Sequence, residues 1–294
     1  MSTQTFPKLC AHRGFNVVAP ENTLPAFACA YALGADEIEF DLWPNAEGKL
    51  IVCHDPTVDR TTDGHGFIES LSSEYLQNLD AGIKFSKDYS GANLPSFEEV
   101  LRLFGGKVKM NIHIKSLHRP PVASSEMLSR GQLLEEVYLY QRSEPRFLLT
   151  ERGKSIEEIE NREVTPYDEE TFQRILELID QYQCRKWVYF TGEKDVLITA
   201  LKMAPDIERC CLEGHMNFSI IEHALEFQCS RVQFCKLFLT EEMIQTAHQK
   251  NLICNLFWCD TPNEAEYYVK KGIDVVLTNH YLALKKLFRP NTVG

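Results

Sequence analysis

The chain has 294 residues, 44% of them hydrophobic and 25% charged, with a formal net charge of −11. This is the composition of an ordinary globular chain with a large core. The acidity argues against general nucleic-acid binding and against docking on anionic membranes, although a bound cation can reverse the field locally and admit a small anion.

In chain order, Met1–Pro7 is short and polar and predicts no signal peptide. Strand-like runs follow at Lys8–His12, Glu37–Trp43, Leu50–His54, Lys109–Ile114, Trp187–Thr191, Ile207–Leu212, Val232–Lys236, Ile253–Trp258 and Val275–Thr278. Between them, apolar residues recur near a 3.6 period at Pro25–Leu33, Phe97–Phe104, Glu169–Tyr182, Asp195–Met203, Ile220–Phe227, Glu241–Lys250 and Glu264–Lys271. Alternation of this kind predicts parallel βαβ units. Nine strands are one too many for a (β/α)8 barrel. Only Pro44–Lys49 separates the second run from the third, a hairpin-length link and not a parallel crossover. The expected fold is therefore α/β, a distorted (β/α)8 TIM barrel spanning residues 1–294 with a β-hairpin extension. Pro56–Ser96 is turn-rich and reads as a cap over the barrel mouth. Leu117–Asp168, with Pro120-Pro121 and one amphipathic stretch at Leu133–Tyr140, reads as an insertion or lid.

No apolar stretch approaches roughly 18 residues, so no membrane-spanning helix is expected. The ten cysteines include no C-x-x-C pair. Cys10, Cys53, Cys211, Cys235 and Cys254 lie in apolar strand-like runs and read as small buried hydrophobes in a reducing, cytoplasmic setting.

The chemistry concentrates in the first sixty residues. His12-Arg13-Gly14 ends the first run, Glu39 and Asp41 lie in the second, and His54-Asp55 ends the third. Residues i and i+2 of a strand share a face, so Glu39 and Asp41 project together. Two inward carboxylates without a cation would repel each other, which favours a metal. Two histidines beside such a cation would form an acid/base pair around a metal-held anion. Glu37 shares that face one step deeper and reads as structural. His65, His215, His223 and His248 have no partners at diagnostic spacing. After the first strand, Asn22 or Thr23 fits a helix N-cap, with Pro25 in the first turn.

The run from Ala11 to Gly66 strongly resembles the glycerophosphodiester phosphodiesterase family. It includes Pro20-Glu21-Asn22-Thr23, Gly34-Ala35-Asp36, Glu39, Asp41, His54-Asp55 and Arg60-Thr61-Thr62. Weaker matches follow at Leu94–Phe97, Asn111–Lys115, Trp258 and Gly272–Thr278. The resemblance implies metal-assisted hydrolysis of a glycerophosphodiester to glycerol 3-phosphate and an alcohol. It implies His12 and His54 as the acid/base pair and Glu39 and Asp41 as ligands of Mg²⁺ or Ca²⁺. Arg13, Lys115 and Trp258 would line the substrate site. The bland alternatives are an Arg13–Glu21 pair, a Lys115 ion pair with Glu39 or Asp41, and a Trp258 that only packs.

The chain departs from the family pattern at one ligand position. Where the family carries a third acidic ligand, His113 stands here. An imidazole in place of a carboxylate makes the site softer and raises Mn²⁺, Zn²⁺, Fe²⁺ or Ni²⁺ as candidates. Thr278-Asn279 and Thr191-Gly192 also depart from the pattern and are expected to alter the leaving-group pocket. The expected partner is a small phosphodiester, with no nucleic acid and no stable membrane insertion. Alternatives are a lysophospholipase D-like or other phosphodiesterase, and a catalytically weakened protein that binds a phosphodiester or sugar phosphate.

Overall fold

The computed structural model describes residues 7–116, 164–213 and 219–290. Eight strands are parallel: β1 (Lys8–His12), β2 (Glu37–Pro44), β4 (Lys109–Ile114), β5 (Val188–Gly192), β6 (Glu208–Cys211), β7 (Arg231–Cys235), β8 (Ile253–Phe257) and β9 (Val275–Thr278). They pair in the order β1-β9-β8-β7-β6-β5-β4-β2, and a further β1–β2 pairing closes the cylinder. This is a (β/α)8 barrel. The ninth strand, β3 (Leu50–Val52), pairs antiparallel with the upper half of β2, Leu42 facing Val52 and Pro44 facing Leu50. The expected hairpin is thus present. Its second strand ends at Val52 and not at His54, although the Cys53 amide still bonds the carbonyl of Asp41, its partner in the same register, at 3.1 Å.

The surrounding helices are α1 (Leu24–Ala32), α3 (Phe97–Phe104), α4 (Glu169–Gln181), α5 (Lys194–Met203), α6 (Ser219–Glu226), α7 (Glu241–Gln249), α8 (Pro262–Lys271) and α9 (Tyr281–Phe288), with a short α2 (Ser73–Gln77) in the cap segment. Their starts follow the sequence signals. Thr23 is the N-cap residue of α1, with Pro25 in the first turn, although its hydroxyl bonds the Pro20 carbonyl instead of capping. Ser96 and Glu99 form a reciprocal capping box on α3. Asp168 accepts from the Thr171 amide at 2.7 Å to start α4. Gly272 ends α8 in the left-handed region, φ 111°. Helix α9 was not expected. Trp187 lies in a 3₁₀ turn before β5, not in the strand.

The main core lies between strands and helices. Phe27 of α1, Phe40 of β2 and Phe97 of α3 pack with ring centroids 5.7 and 6.0 Å apart. The barrel interior is polar at its lower end. Glu37, fully buried, accepts from the Tyr189 hydroxyl at 2.6 Å and pairs with Arg231 at 3.4 Å. Thr191 donates to Asn111 at 2.5 Å, and Asn111 donates to Gln233 at 3.0 Å. Buried polar groups need such partners, and Glu37 is accordingly structural.

The Pro56–Ser96 segment carries a small core of its own. Trp43, Ile51 and Cys53 of the hairpin region pack with Val58, Ile68, Leu76, Leu79, Ala81 and Leu94. Most of the Leu117–Asp168 insertion, including Leu133–Tyr140, lies outside the described residues, as does His215. Among the described residues no helix is long and apolar enough to cross a membrane.

Candidate active site

The C-terminal ends of β1, β2 and β4 bring the predicted residues together. Parallel register sets His12 level with Glu39, and Asp41 level with His113. Barrel enzymes place their chemistry at this end of the strands. After His12 the chain turns sharply through two left-handed residues, Arg13 (φ 55°) and Gly14 (φ 79°). At Gly14 a Cβ would meet the Ala26 backbone at 2.7 Å, so α1 packs too closely for any side chain there. The turn directs the Arg13 amide onto Glu39 Oε2 at 3.0 Å and its guanidinium toward Asp41.

Asp41 is the hub. Its Oδ1 lies 2.7 Å from Lys115 Nζ and 3.1 Å from His113 Nδ1, and its Oδ2 accepts from Asn22 Nδ2 at 2.9 Å. Glu39 Oε2 lies 3.9 Å from His12 Nε2. One ligand atom each from Glu39, Asp41 and His113 fall within 4.8 Å of one another.

Each histidine is held through Nδ1. His12 Nδ1 lies 2.9 Å from Asn279 Oδ1, and the Trp258 ring stacks parallel to the imidazole, 2° from coplanar with centroids 6.3 Å apart. His54 Nδ1 lies 2.7 Å from Asp55 Oδ1. Asp55 in turn accepts from Arg60 Nε at 2.5 Å, Arg60 donates to Glu21 at 2.7 Å, and Glu21 accepts from Arg13 Nη1 at 2.9 Å. This charged chain connects the loop after β1 with the loop after β3.

Burial dominates the electrostatics. It pushes the Glu39 carboxyl up to about 8, aided by the Asp41 charge. Burial also acts against the Asp41 charge, but Lys115, His54, His113 and Arg13 hold that carboxyl well below the usual range. Desolvation and the Arg13 charge lower His12 to about 3; desolvation and Lys115 lower His54 to about 4. Glu21 is partly desolvated, yet Arg60 and Arg13 bring it down to about 2.

Comparison with known proteins settles the lineage. Residues 12–283 match the glycerophosphoryl diester phosphodiesterase family. The chain belongs to that family. A glycerophosphodiester phosphodiesterase of Caldanaerobacter subterraneus is 49% identical over 107 residues, covering 36% of this chain and 44% of that protein. A glycerophosphodiester phosphodiesterase of Bacillus subtilis is 35% identical over 130 residues, covering 42% of this chain and 44% of that protein. The matched stretch thus spans less than half the length of either relative. The fold is also that of an Oleispira antarctica phosphodiesterase solved in complex with the product sn-glycerol-3-phosphate (TM-score 0.74, 20% identity, 96% of each chain). It is likewise that of a glycerophosphodiester phosphodiesterase from Agrobacterium tumefaciens (TM-score 0.67, 19% identity, 95% of this chain and 98% of the other).

Within this family member, all eight residues singled out from the sequence cluster at one barrel end. The bland partners of two are also present: Arg13 pairs with Glu21 and Lys115 with Asp41. Of the two other departures from the family pattern, Asn279 meets His12 and Asp260, and Thr191 meets Asn111 inside the barrel. The sequence offered Glu21 only as a partner for Arg13 and Asn22 only as a helix cap, and it gave no role to Asp55, Arg60 or Asp260. Four of these stand in the quoted motif block, and their proximity to His54 and Arg13 in sequence was the available signal.

The donor set suits a divalent cation. Two carboxylates and an imidazole converge, and one of those carboxyls is pushed toward its neutral form. Two buried polar atoms at the same place, Arg13 Nε and Asn22 Oδ1, have no hydrogen-bond partner among the described residues. Native interiors satisfy such atoms, so they mark a place for a ligand.

Proposed function

We propose that the chain hydrolyses a glycerophosphodiester to glycerol 3-phosphate and an alcohol at a divalent cation. The observation that carries this reading is the convergence of Glu39, Asp41 and His113 beside two histidines held through Nδ1. Family membership supports the reaction class, and the product found in the Oleispira antarctica relative supports the substrate class.

Glu39, Asp41 and His113 would hold the cation, which when bound offsets charge on the phosphoryl oxygens. Arg13 supplies a second positive group: its Nε is buried, 3.7 Å from Asp41 Oδ2 and without a hydrogen-bond partner among the described residues, and would donate to a phosphate oxygen. Lys115 supplies a third, from a flexible stem that can move from Asp41 to substrate. His12 and His54 share the proton transfers. One accepts the proton of the attacking hydroxyl as its oxygen bonds phosphorus. The other donates to the alcohol oxygen as the P–O bond breaks. Two attacking groups fit this scheme. One is water. The other is the substrate's own glycerol hydroxyl, which gives a cyclic phosphate hydrolysed in a second step. Asp55, already bonded to His54, favours the positive form of that ring when it takes a proton. Trp258, parallel to the His12 ring with centroids 6.3 Å apart, would wall the site.

One observation favours a second reading. Lys115 Nζ lies 2.7 Å from Asp41 and 3.1 Å from His113 Nδ1, among the cation's own ligands. A site whose lysine stays there would bind a phosphodiester with little turnover. A screen of Mg²⁺, Ca²⁺, Mn²⁺, Zn²⁺, Fe²⁺ and Ni²⁺ with glycerophosphocholine separates the two. Metal-dependent release of glycerol 3-phosphate supports hydrolysis. Tight binding of the diester without turnover under any ion supports the second reading.

A further inference from the structure

We propose that Asp260, acting through the Asn279 amide, fixes the His12 ring as the Nδ1–H tautomer and is a positioning residue for the reaction. The proposal rests on the reading that His12 exchanges protons at Nε2.

An asparagine amide can present either end, and only its neighbours decide which. Here Asp260 decides. Its Oδ1 accepts from the Asn279 backbone N–H at 2.8 Å, and its Oδ2 accepts from Asn279 Nδ2 at 2.8 Å. A carboxylate cannot donate, so Nδ2 must face Asp260 and Oδ1 must face the other way. Asn16 reinforces this orientation, donating from Nδ2 to Asn279 Oδ1 at 2.5 Å and to the His12 carbonyl at 3.0 Å. Asn279 Oδ1 is thus an acceptor 2.9 Å from His12 Nδ1. In a neutral imidazole one nitrogen donates and the other accepts. The proton is therefore on Nδ1, and the lone pair is on Nε2, the atom directed at Glu39.

The arrangement differs from that at His54, which meets the Asp55 carboxylate directly. At His12 the carboxylate stands one amide away. Its directional information reaches the ring, and its full charge does not. Asp260 follows β8 and Asn279 follows β9, neighbouring strands of the barrel, so the relay is built on the scaffold itself.

The test reads the tautomer independently of turnover. Long-range ¹H–¹⁵N spectra of the full chain with ¹⁵N-histidine, with His12 assigned by His12→Gln, are expected to show Nδ1–H at neutral pH. Asp260→Asn places an amide donor against Asn279 Nδ2 and favours its flip. The Nε2–H form should then appear, with kcat on glycerophosphocholine falling about 10²-fold and KM moving much less. Asp260→Asn combined with Asn279→Asp restores an acceptor toward His12 and a donor toward residue 279. It should return the Nδ1–H signal and most of kcat. Should Asp260→Asn fail to fold, Asn279→Ala removes the acceptor alone and should give mixed tautomers. A pure Nδ1–H ring in a folded Asp260→Asn or Asn279→Ala protein overturns the proposal, as does a double variant that leaves the ring as Nε2–H. The predicted tautomer shifts in a chain that turns over no diester would uphold the Asp260 relay and overturn the hydrolytic reading instead.

Discussion

Lys115 Nζ lies 2.7 Å from Asp41 Oδ1, a fully buried ion pair inside the proposed cation site. A cation bound there would compete with the ammonium for one carboxylate oxygen. Lys115→Met should therefore tighten Mn²⁺ binding by about tenfold, by removing a like charge. Turnover of glycerophosphocholine should fall about 10²-fold, by removing a positive group from the phosphate. Calorimetric titration of Mn²⁺ with parallel steady-state assays checks both. Weaker Mn²⁺ binding in the variant would show that the lysine and the ion do not share Asp41.

His113 faces Asp41 in the β2–β4 register and adds the one nitrogen donor to the set. His113→Glu replaces it with a harder oxygen ligand. Metal preference should move from Mn²⁺ or Zn²⁺ toward Mg²⁺ or Ca²⁺. Activity measured across the ion series gives the answer, and an unmoved profile would remove His113 from the ligand set.

Asp55 joins His54 to Arg60, and its hydrogen bond orients the imidazole. Asp55→Asn keeps the size of the side chain but lets the amide present a donor to the ring. By the magnitude known for a buried carboxylate behind a catalytic histidine, kcat should fall about 10²- to 10⁴-fold. KM should change little. Equal losses in binding and turnover would instead mean that the loop had collapsed.

Glu21 bridges Arg13 and Arg60, and its carboxyl is brought down from 4.5 to about 2. A folded value below the unfolded one stabilises the fold above the unfolded value and is lost as pH falls through the folded one. The window is therefore pH 4.5 to about 2. Glu21→Gln should cost up to about 3 kcal/mol near neutrality. The gap to wild type should close on acidification through that window. Urea unfolding at several pH values tests the sign: a gap that widens at low pH contradicts the assignment.

Phe40 packs edge-on with Phe27 and tilted against Phe97, joining β2 to α1 and α3. Phe40→Ala should destabilise the barrel by about 3–5 kcal/mol, through lost burial and the cavity left behind. Because Phe40 points away from Glu39 and Asp41, metal affinity of the surviving folded protein should stay near wild type. Chemical denaturation and Mn²⁺ titration separate the two effects.

What the sequence disclosed follows from the range of the interactions involved. Period-2 spacing put Glu39 and Asp41 on one face, and the short Pro44–Lys49 link between the second and third strand-like runs exposed the hairpin, because both are local. His113 was legible by strand alternation with Lys115. The Asn279–His12 contact was not, since it joins residues 267 positions apart and depends on barrel closure between β1 and β9. Beyond the Arg13–Glu21 pair, the ion-pair chain through Arg60 and Asp55 was hidden for a related reason. Its members stood in the motif, but nothing in their spacing says which carboxylate meets which guanidinium. Helix α9 escaped because it is a single short stretch, Tyr281–Phe288, held by packing of Tyr281, Leu284 and Phe288 against the barrel.

The most direct test is release of glycerol 3-phosphate from glycerophosphocholine by chelator-stripped protein, before and after a divalent ion is added back. The account predicts no turnover after stripping, recovery on addition of Mn²⁺ or Mg²⁺, and no recovery in Glu39→Gln. Turnover that persists undiminished in excess chelator would contradict it.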